Sequence, residues 1–252
     1  MNLGLDGKTA LVTGATTGIG EGIARSLAAE GVRVVIAGRR PDALEGVAHA
    51  IATAGGQRPT IVIGDLRDTA ATEDIARQAL AACDGRVDIL VNNAGASRPL
   101  KTADDDSAWE EALALNFASA RRLTFALIEP MRAAKWGRVV NLTGAMVAPS
   151  WNASGAAKSA LNSWSRTLAI QLAPDNITVN AIAPGRINSE QIRTNLHPTA
   201  DSRDAFIRQF IPMGRFGDPE DIANLVTFLA SPRAGYISGA AIPVDGAMLR
   251  IS

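Results

Sequence analysis

Seven short runs rich in Val, Ile, Leu and Ala recur along the chain, at residues 9–12, 32–36, 60–63, 87–91, 138–142, 178–183 and 241–244. Most are nearly continuous in apolar side chains. A strand with no polar face is buried on both sides, as in a parallel sheet covered by helices. The stretches between them carry apolar residues at helical spacing, such as Ile19, Ile23, Ala24 and Leu27, or Leu161, Trp164, Leu168 and Leu172. Strands alternating with helices imply right-handed βαβ units and a doubly wound α/β sheet. Pro41 and Pro219 each open a helix, where a missing N–H costs nothing. A long helix is expected over residues 107–132, with Ser107 as its cap and Glu110 completing a capping box. Another is expected over 152–173. No linker, composition break or internal repeat divides residues 1–252, so one domain is expected, with a seven-stranded parallel sheet and helices on both faces.

The turn after the first run reads TGATTGIG, residues 13–20. Glycine lets the backbone approach a ligand closely, and the helix start that follows offers free N–H groups and a positive dipole end, which suit phosphate. The spacing lacks the Gly-Lys-Ser/Thr ending of a Walker loop. It is a longer-armed dinucleotide fingerprint, and the fold it predicts is a Rossmann fold. Ligands in such sheets lie beyond the carboxyl ends of the strands. Arg39, Asp65, the segment 92–95, Thr143 with Gly144, and Pro184 with Gly185 all fall there.

Charge and cysteine content narrow the class. The 25 basic and 25 acidic residues balance, which argues against a nucleic-acid or membrane-surface partner. One cysteine and two histidines leave a disulfide impossible within the chain and a metal site poorly supported. With no charged apolar leader and no apolar run of about 18 residues, a cytoplasmic protein is expected.

Taken in order, the motifs TGATTGIG (13–20), Asp65, NNAG (92–95), Asn116, Lys158, VNAIAPGRI (179–187) and YISGAAIPVDGA (236–247) resemble the short-chain dehydrogenase/reductase family over essentially the whole chain, and 3-oxoacyl-carrier-protein-reductase-like members in particular. The resemblance implies a nicotinamide dinucleotide and a small-molecule substrate. Gly14, Thr16, Thr17, Gly18, Ile19 and Gly20 would cradle the pyrophosphate. Asp65 and Leu66 would meet the adenine, and Asn93, Ala94 and Gly95 would pass under the adenosine half. Pro184, Gly185, Ile187 and Ser189 would line the nicotinamide and phosphates, and Lys158 would bind the ribose. No carboxylate stands at Ala37 or Gly38 to hold a ribose 2′-hydroxyl, and Arg39 and Arg40 follow at once. A guanidinium pairs a phosphate through parallel hydrogen bonds, so NADP(H) is expected over NAD(H). The family also implies a homotetramer packed through the long helices. Residues 186–217, with Arg186, Arg193, Arg203, Arg208, Arg215 and His197, would cover the substrate.

The usual catalytic set of the family is Asn, Ser, Tyr and Lys. Asn116 and Lys158 match. Four residues before the lysine, where the Tyr belongs, stands Ser154, with Pro149 ahead of it to fix the register. Gly144 takes the place of the Ser, beside Thr143, and lies ten positions before Ser154 where the family has about thirteen. The only tyrosine is Tyr236. Asn116, Lys158, Ser154 and Thr143 are therefore the catalytic candidates, with a held water or His197 as proton donor. Three functions stay open: a carbonyl reductase with altered proton delivery, a cofactor-binding pseudo-oxidoreductase partnered by an active relative, and a non-redox enzyme on the same fold.

Overall fold

The computed structural model describes residues 2–97, 100, 102–144, 151–190 and 192–248. Its strands are β1 (Thr9–Thr13), β2 (Arg33–Gly38), β3 (Thr60–Ile63), β4 (Ile89–Asn92), β5 (Gly137–Leu142), β6 (Ile177–Pro184) and β7 (Ala241–Val244). They form one seven-stranded sheet in the order β3-β2-β1-β4-β5-β6-β7, and every pairing is parallel. The helices are α1 (Gly18–Ala29), α2 (Pro41–Thr53), α3 (Thr69–Ala82), α4 (Asp106–Leu113), α5 (Ser119–Ala133), α6 (Ala153–Leu172), α7 (Ala200–Phe210) and α8 (Pro219–Ala230). No helix among the described residues is long and apolar enough to cross a membrane.

Successive strand residues point to opposite faces, and the apolar runs feed two cores in that way. Val12, Ile36, Val91 and Val140 pack with Leu27 of α1, Val47 of α2 and Val226 of α8. Their neighbours Leu11, Val35, Leu90 and Val139 pack on the other face with Ile75 of α3, Leu127 of α5 and Leu168 of α6. Each buried Leu or Ile contributes ~1.5–3 kcal/mol relative to an exposed one. All seven strands run the same way, so their carboxyl ends share one edge of the sheet.

Two expectations need correction. The stretch 107–132 is not one regular helix. It is α4 and α5 joined by a wide π-type turn, Ala114–Ala118, that carries Asn116. The cap is not Ser107 but Asp105, whose carboxylate accepts from the Ala108 N–H at 3.1 Å. The periodicity hides the turn because an inserted residue leaves the apolar stripe on both sides intact. Pro149 lies outside the described residues.

A buried polar chain crosses the sheet behind the edge. Asn92 Nδ2 donates to Asn141 Oδ1 at 2.8 Å, Asn141 Nδ2 donates to Ser165 Oγ at 2.8 Å, and Ser165 Oγ donates to the Leu161 carbonyl at 2.7 Å. It ties β4 to β5 to α6. Replacing Asn141 by Leu leaves Asn92 Nδ2 with only the long bond to Thr124 Oγ1 at 3.4 Å, while Ser165 keeps its bond to the Leu161 carbonyl. At ~1–3 kcal/mol for a buried group left poorly satisfied, a loss of about 1 kcal/mol or more is expected in urea unfolding. An unchanged midpoint would show that the chain is not stabilising.

Candidate active site

β1 ends at Thr13, and the backbone then turns through Gly14 and Gly18, both with positive φ (+64° and +59°). A Cβ on Gly20 would lie 2.3 Å from the Gly14 carbonyl oxygen, so only glycine fits. Thr13 Oγ1 accepts the N–H groups of Asn93 and Ala94 at 3.0 and 3.1 Å, and Asn93 Nδ2 donates to the carbonyls of Thr13 and Gly14. The 92–95 segment is thereby stitched to the glycine turn. α1 starts at Gly18, and its cap Thr17 makes no side-chain capping bond. Its first N–H groups are left for a ligand. Thr16 fills the space above Gly38, where a Cβ would come within 2.8 Å of the Thr16 methyl. A cleft of about 560 Å³ opens beside this turn, lined by Thr17, Gly18, Arg40, Asn188, Ser189 and Arg193 among others. Bare helix N–H groups, a glycine cradle and nearby guanidiniums are a donor set that fits a pyrophosphate.

At the ends of β2 and β3, Arg39 Nη1 stands 3.8 Å from Asp65. Asp65 is gripped more tightly by Arg67, whose Nε lies 3.0 Å from both carboxylate oxygens. That grip holds the Asp65 carboxyl down to about 2. Arg67 also reaches Glu111 of α4 at 2.7 Å. Sequence reading missed Arg67, which carries no motif of its own and becomes visible only through these contacts. Leu66, between Asp65 and Arg67 in sequence, is buried in the core. Arg40 forms an ion pair with Glu190 of the 186–217 segment at 3.1 Å, and both side chains are about half exposed (51% each).

Asn116, Ser154, Lys158 and Thr143 lie around the C-terminal ends of β4 and β5. Asn116 Oδ1 accepts from the Ala96 N–H at 3.1 Å, and its Nδ2 donates to the Ala112 carbonyl and, at 3.5 Å, to Ser154 Oγ. Ser154 is buried, and its hydroxyl donates to the Ala96 carbonyl at 2.6 Å. Thr143 is buried too, and its hydroxyl donates to the Ile182 carbonyl at 2.9 Å. Lys158 Nζ donates to the Thr143 carbonyl at 2.8 Å, and burial pushes its pKa down to about 8. Gly95 and Gly144 flank it: a Cβ on Gly144 would lie 3.3 Å from Lys158 Cδ and 3.6 Å from Nζ. Pro184 ends β6, Gly185 packs against Asp245, and buried Ile187 forms a parallel bridge with Gly217 that joins the two ends of the 186–217 segment. Ser189 Oγ accepts from the Ile192 N–H at 3.3 Å.

The sequence matches the family model described as enoyl-(acyl carrier protein) reductase over residues 14–248. It is 38% identical over 253 residues to the 3-oxoacyl-(acyl-carrier-protein) reductase FabG of Pseudomonas aeruginosa, covering 98% of this chain and 99% of that protein. The chain belongs to the short-chain dehydrogenase/reductase family. Among solved structures it is similar to L-sorbose reductase from Gluconobacter frateurii complexed with NADPH and L-sorbose (TM-score 0.93, 31% identity, all of both chains). It is also similar to 3-oxoacyl (acyl-carrier-protein) reductase from Agrobacterium tumefaciens C58 with NADP bound (TM-score 0.89, 32% identity, 96% of this chain and 94% of that one).

In this short-chain dehydrogenase/reductase the hydroxyl protons of Ser154 and Thr143 are committed to backbone carbonyls. His197 lies in the 186–217 segment, its ring tilted against those of Phe206 and Phe216. Burial, with Arg186 and Arg203 nearby, lowers the pKa of its imidazole. Tyr236 is fully exposed. Trp151 is largely exposed (66%) and contributes its carbonyl to the Leu100 N–H at 2.9 Å. Ser154→Ala is expected to cost ~1–3 kcal/mol of stability, through the orphaned Ala96 carbonyl, while turnover changes by less than about tenfold. A loss of 10²-fold or more in kcat, the usual contribution of an acid/base group, would make Ser154 the proton donor.

Proposed function

We propose that the chain is an NADP(H)-dependent reductase of small carbonyl compounds in which Lys158, rather than a side-chain hydroxyl, delivers the proton. The observation that carries this reading is the enclosed Lys158 ammonium, with a pKa of about 8, among hydroxyls already committed elsewhere. An acid works best when its pKa lies near the operating pH. Among the described residues Lys158 donates only to Thr143, so two of the three ammonium N–H groups would serve a substrate oxygen and a ribose hydroxyl. Bound NADPH supplies the hydride to the carbonyl carbon. Lys158 would pass a proton to the developing alkoxide, become the neutral amine and be reprotonated from water. Gly95 and Gly144 leave the ammonium bare on the sides they face.

The two solved relatives were seen with NADPH and NADP, and Arg39 and Arg40 support the same choice here. Arg39 is the freer of the two, with 59% of its side chain exposed and its Asp65 partner already held by Arg67. The exposed apolar side chains Phe125 of α5 and Ile170 of α6 support a homotetramer packed through these helices. The lone buried Cys83 suits a reducing, cytoplasmic setting.

The committed hydroxyls also favour a second reading, a cofactor-binding pseudo-oxidoreductase that partners an active relative. The two readings part on turnover. With a carbonyl panel and NADPH, reduction by the homomeric protein that disappears in Lys158→Met supports the reductase. NADPH binding with no turnover on any carbonyl supports the second reading.

The acid form of Lys158 is the working form, so kcat/KM for reduction is expected to be flat below about pH 8 and to fall tenfold per pH unit above the pKa. A profile flat to pH 10 would exclude Lys158 as donor. Arg39→Ala with Arg40→Ala is expected to lower the NADPH-over-NADH preference by at least about tenfold, since charge-assisted hydrogen bonds contribute ~1.5–3 kcal/mol. Equal losses for both cofactors would place the 2′-phosphate elsewhere.

A further inference from the structure

The 186–217 segment holds a cationic cluster that proton delivery by Lys158 leaves unused. Arg186 follows Pro184 and Gly185 at the carboxyl end of β6, the side of the sheet on which ligands lie. Its guanidinium sits over the Phe206 ring, 4.9 Å from the centroid. Its Nε is buried with no hydrogen-bond partner among the described residues. The His197 ring is tilted against the same Phe206 at 4.6 Å, and its Nε2 is likewise buried and unpartnered among the described residues. The charged groups facing His197 are Arg186 from the end of β6 and Arg203 from α7. Arg203 Nη1 donates to the His197 carbonyl at 3.0 Å. Asp201 and Asp204 of α7 are exposed and make no ion pair with these cations among the described residues.

A partly buried cation without a counter-charge carries a desolvation cost that its own fold does not offset. Two orphaned polar nitrogens lie against one aromatic ring, and an anion accepting from Arg186 Nε and from His197 in its Nε2–H form would satisfy both. The guanidinium fork matches a carboxylate or phosphate, and the aromatic wall of Phe206 and Phe216 would keep water away from the pair.

We propose that Arg186 and His197 together receive a carboxylate or phosphate carried by the substrate, so that the enzyme prefers anionic keto compounds to neutral ones. The proposal rests on the reductase reading for the word substrate, but the anion site stands or falls by itself. An anion between the two would offset the charge of Arg186, favour imidazolium and raise the pKa of His197.

The chain has two histidines, His49 and His197, so imidazole NMR resolves the group directly. The protein is titrated in pH with no addition, with NADP⁺ alone, and with NADP⁺ plus each of a set of 2-, 3- and 4-keto acids or their neutral methyl esters. The expected result is a rise of the His197 pKa with at least one keto acid and not with its ester, while His49 stays unchanged. Arg186→Met is expected to abolish the rise and, having lost an unpaired charge, to melt no lower than the parent. If that variant does not fold, His197→Asn is assayed instead, and a KM rise of about tenfold for the acid with no change for the ester supports the site. Three results overturn it: no keto acid moves His197, acid and ester move it equally, or Arg186→Met leaves the shift intact. A full shift with NADP⁺ alone also overturns it, because the anion is then a cofactor phosphate. A His197 shift without reduction of any compound supports the anion site and removes the reductase reading. Reduction of acids and esters alike with an unmoved His197 does the reverse.

Discussion

The hydroxyl of Thr13 is the joint on which the site depends. It accepts two backbone N–H groups from the segment after β4 and donates to the Val91 carbonyl at 3.2 Å. A single side chain thus fixes the end of β1 against the end of β4, where the strand order of the sheet reverses direction. Such a reversal opens a crevice between helices that leave to opposite faces. The glycine turn enters it from one side. The 93–95 segment forms its floor, and Asn116 reaches the same floor through the Ala96 N–H. Everything proposed about cofactor and substrate follows from that junction being tight.

The sheet was largely legible because its strands are buried on both faces, and a continuous apolar run has few other places to go in a fold. β3 and β7 have the bounds expected for them, and the remaining strands differ by a residue or two at their ends. The break between α4 and α5 was not legible. It depends on Asn116 bonding to Ala96, twenty positions away, and apolar spacing carries no trace of such a contact. The positions of Ser154 and Thr143 could be read, but not the state of their hydroxyls. A serine in a sequence is a candidate acid. The fold turns both hydroxyls toward main-chain carbonyls, and only tertiary structure decides that. Arg67 was invisible for the same reason, since its grip on Asp65 is a matter of placement.

The site gathers unfavourable electrostatics. Among the described residues, neither Lys158 nor the partly buried Arg186 has a carboxylate partner. The polar chain from Asn92 to Ser165, by contrast, passes each donated proton to a protein acceptor, from the Asn92 amide to the Leu161 carbonyl. Stability is supplied where the sheet is covered and given up where a ligand is to bind, which is the usual division between scaffold and working surface.

The Arg40–Glu190 pair bridges the end of β2 and the segment after β6. With both side chains about half in water, such a contact contributes only ~0.2–1 kcal/mol. It is therefore a tie that thermal motion opens continually. Because exposed charges are screened over about 8 Å in physiological salt, ionic strength sets how long the two segments stay joined.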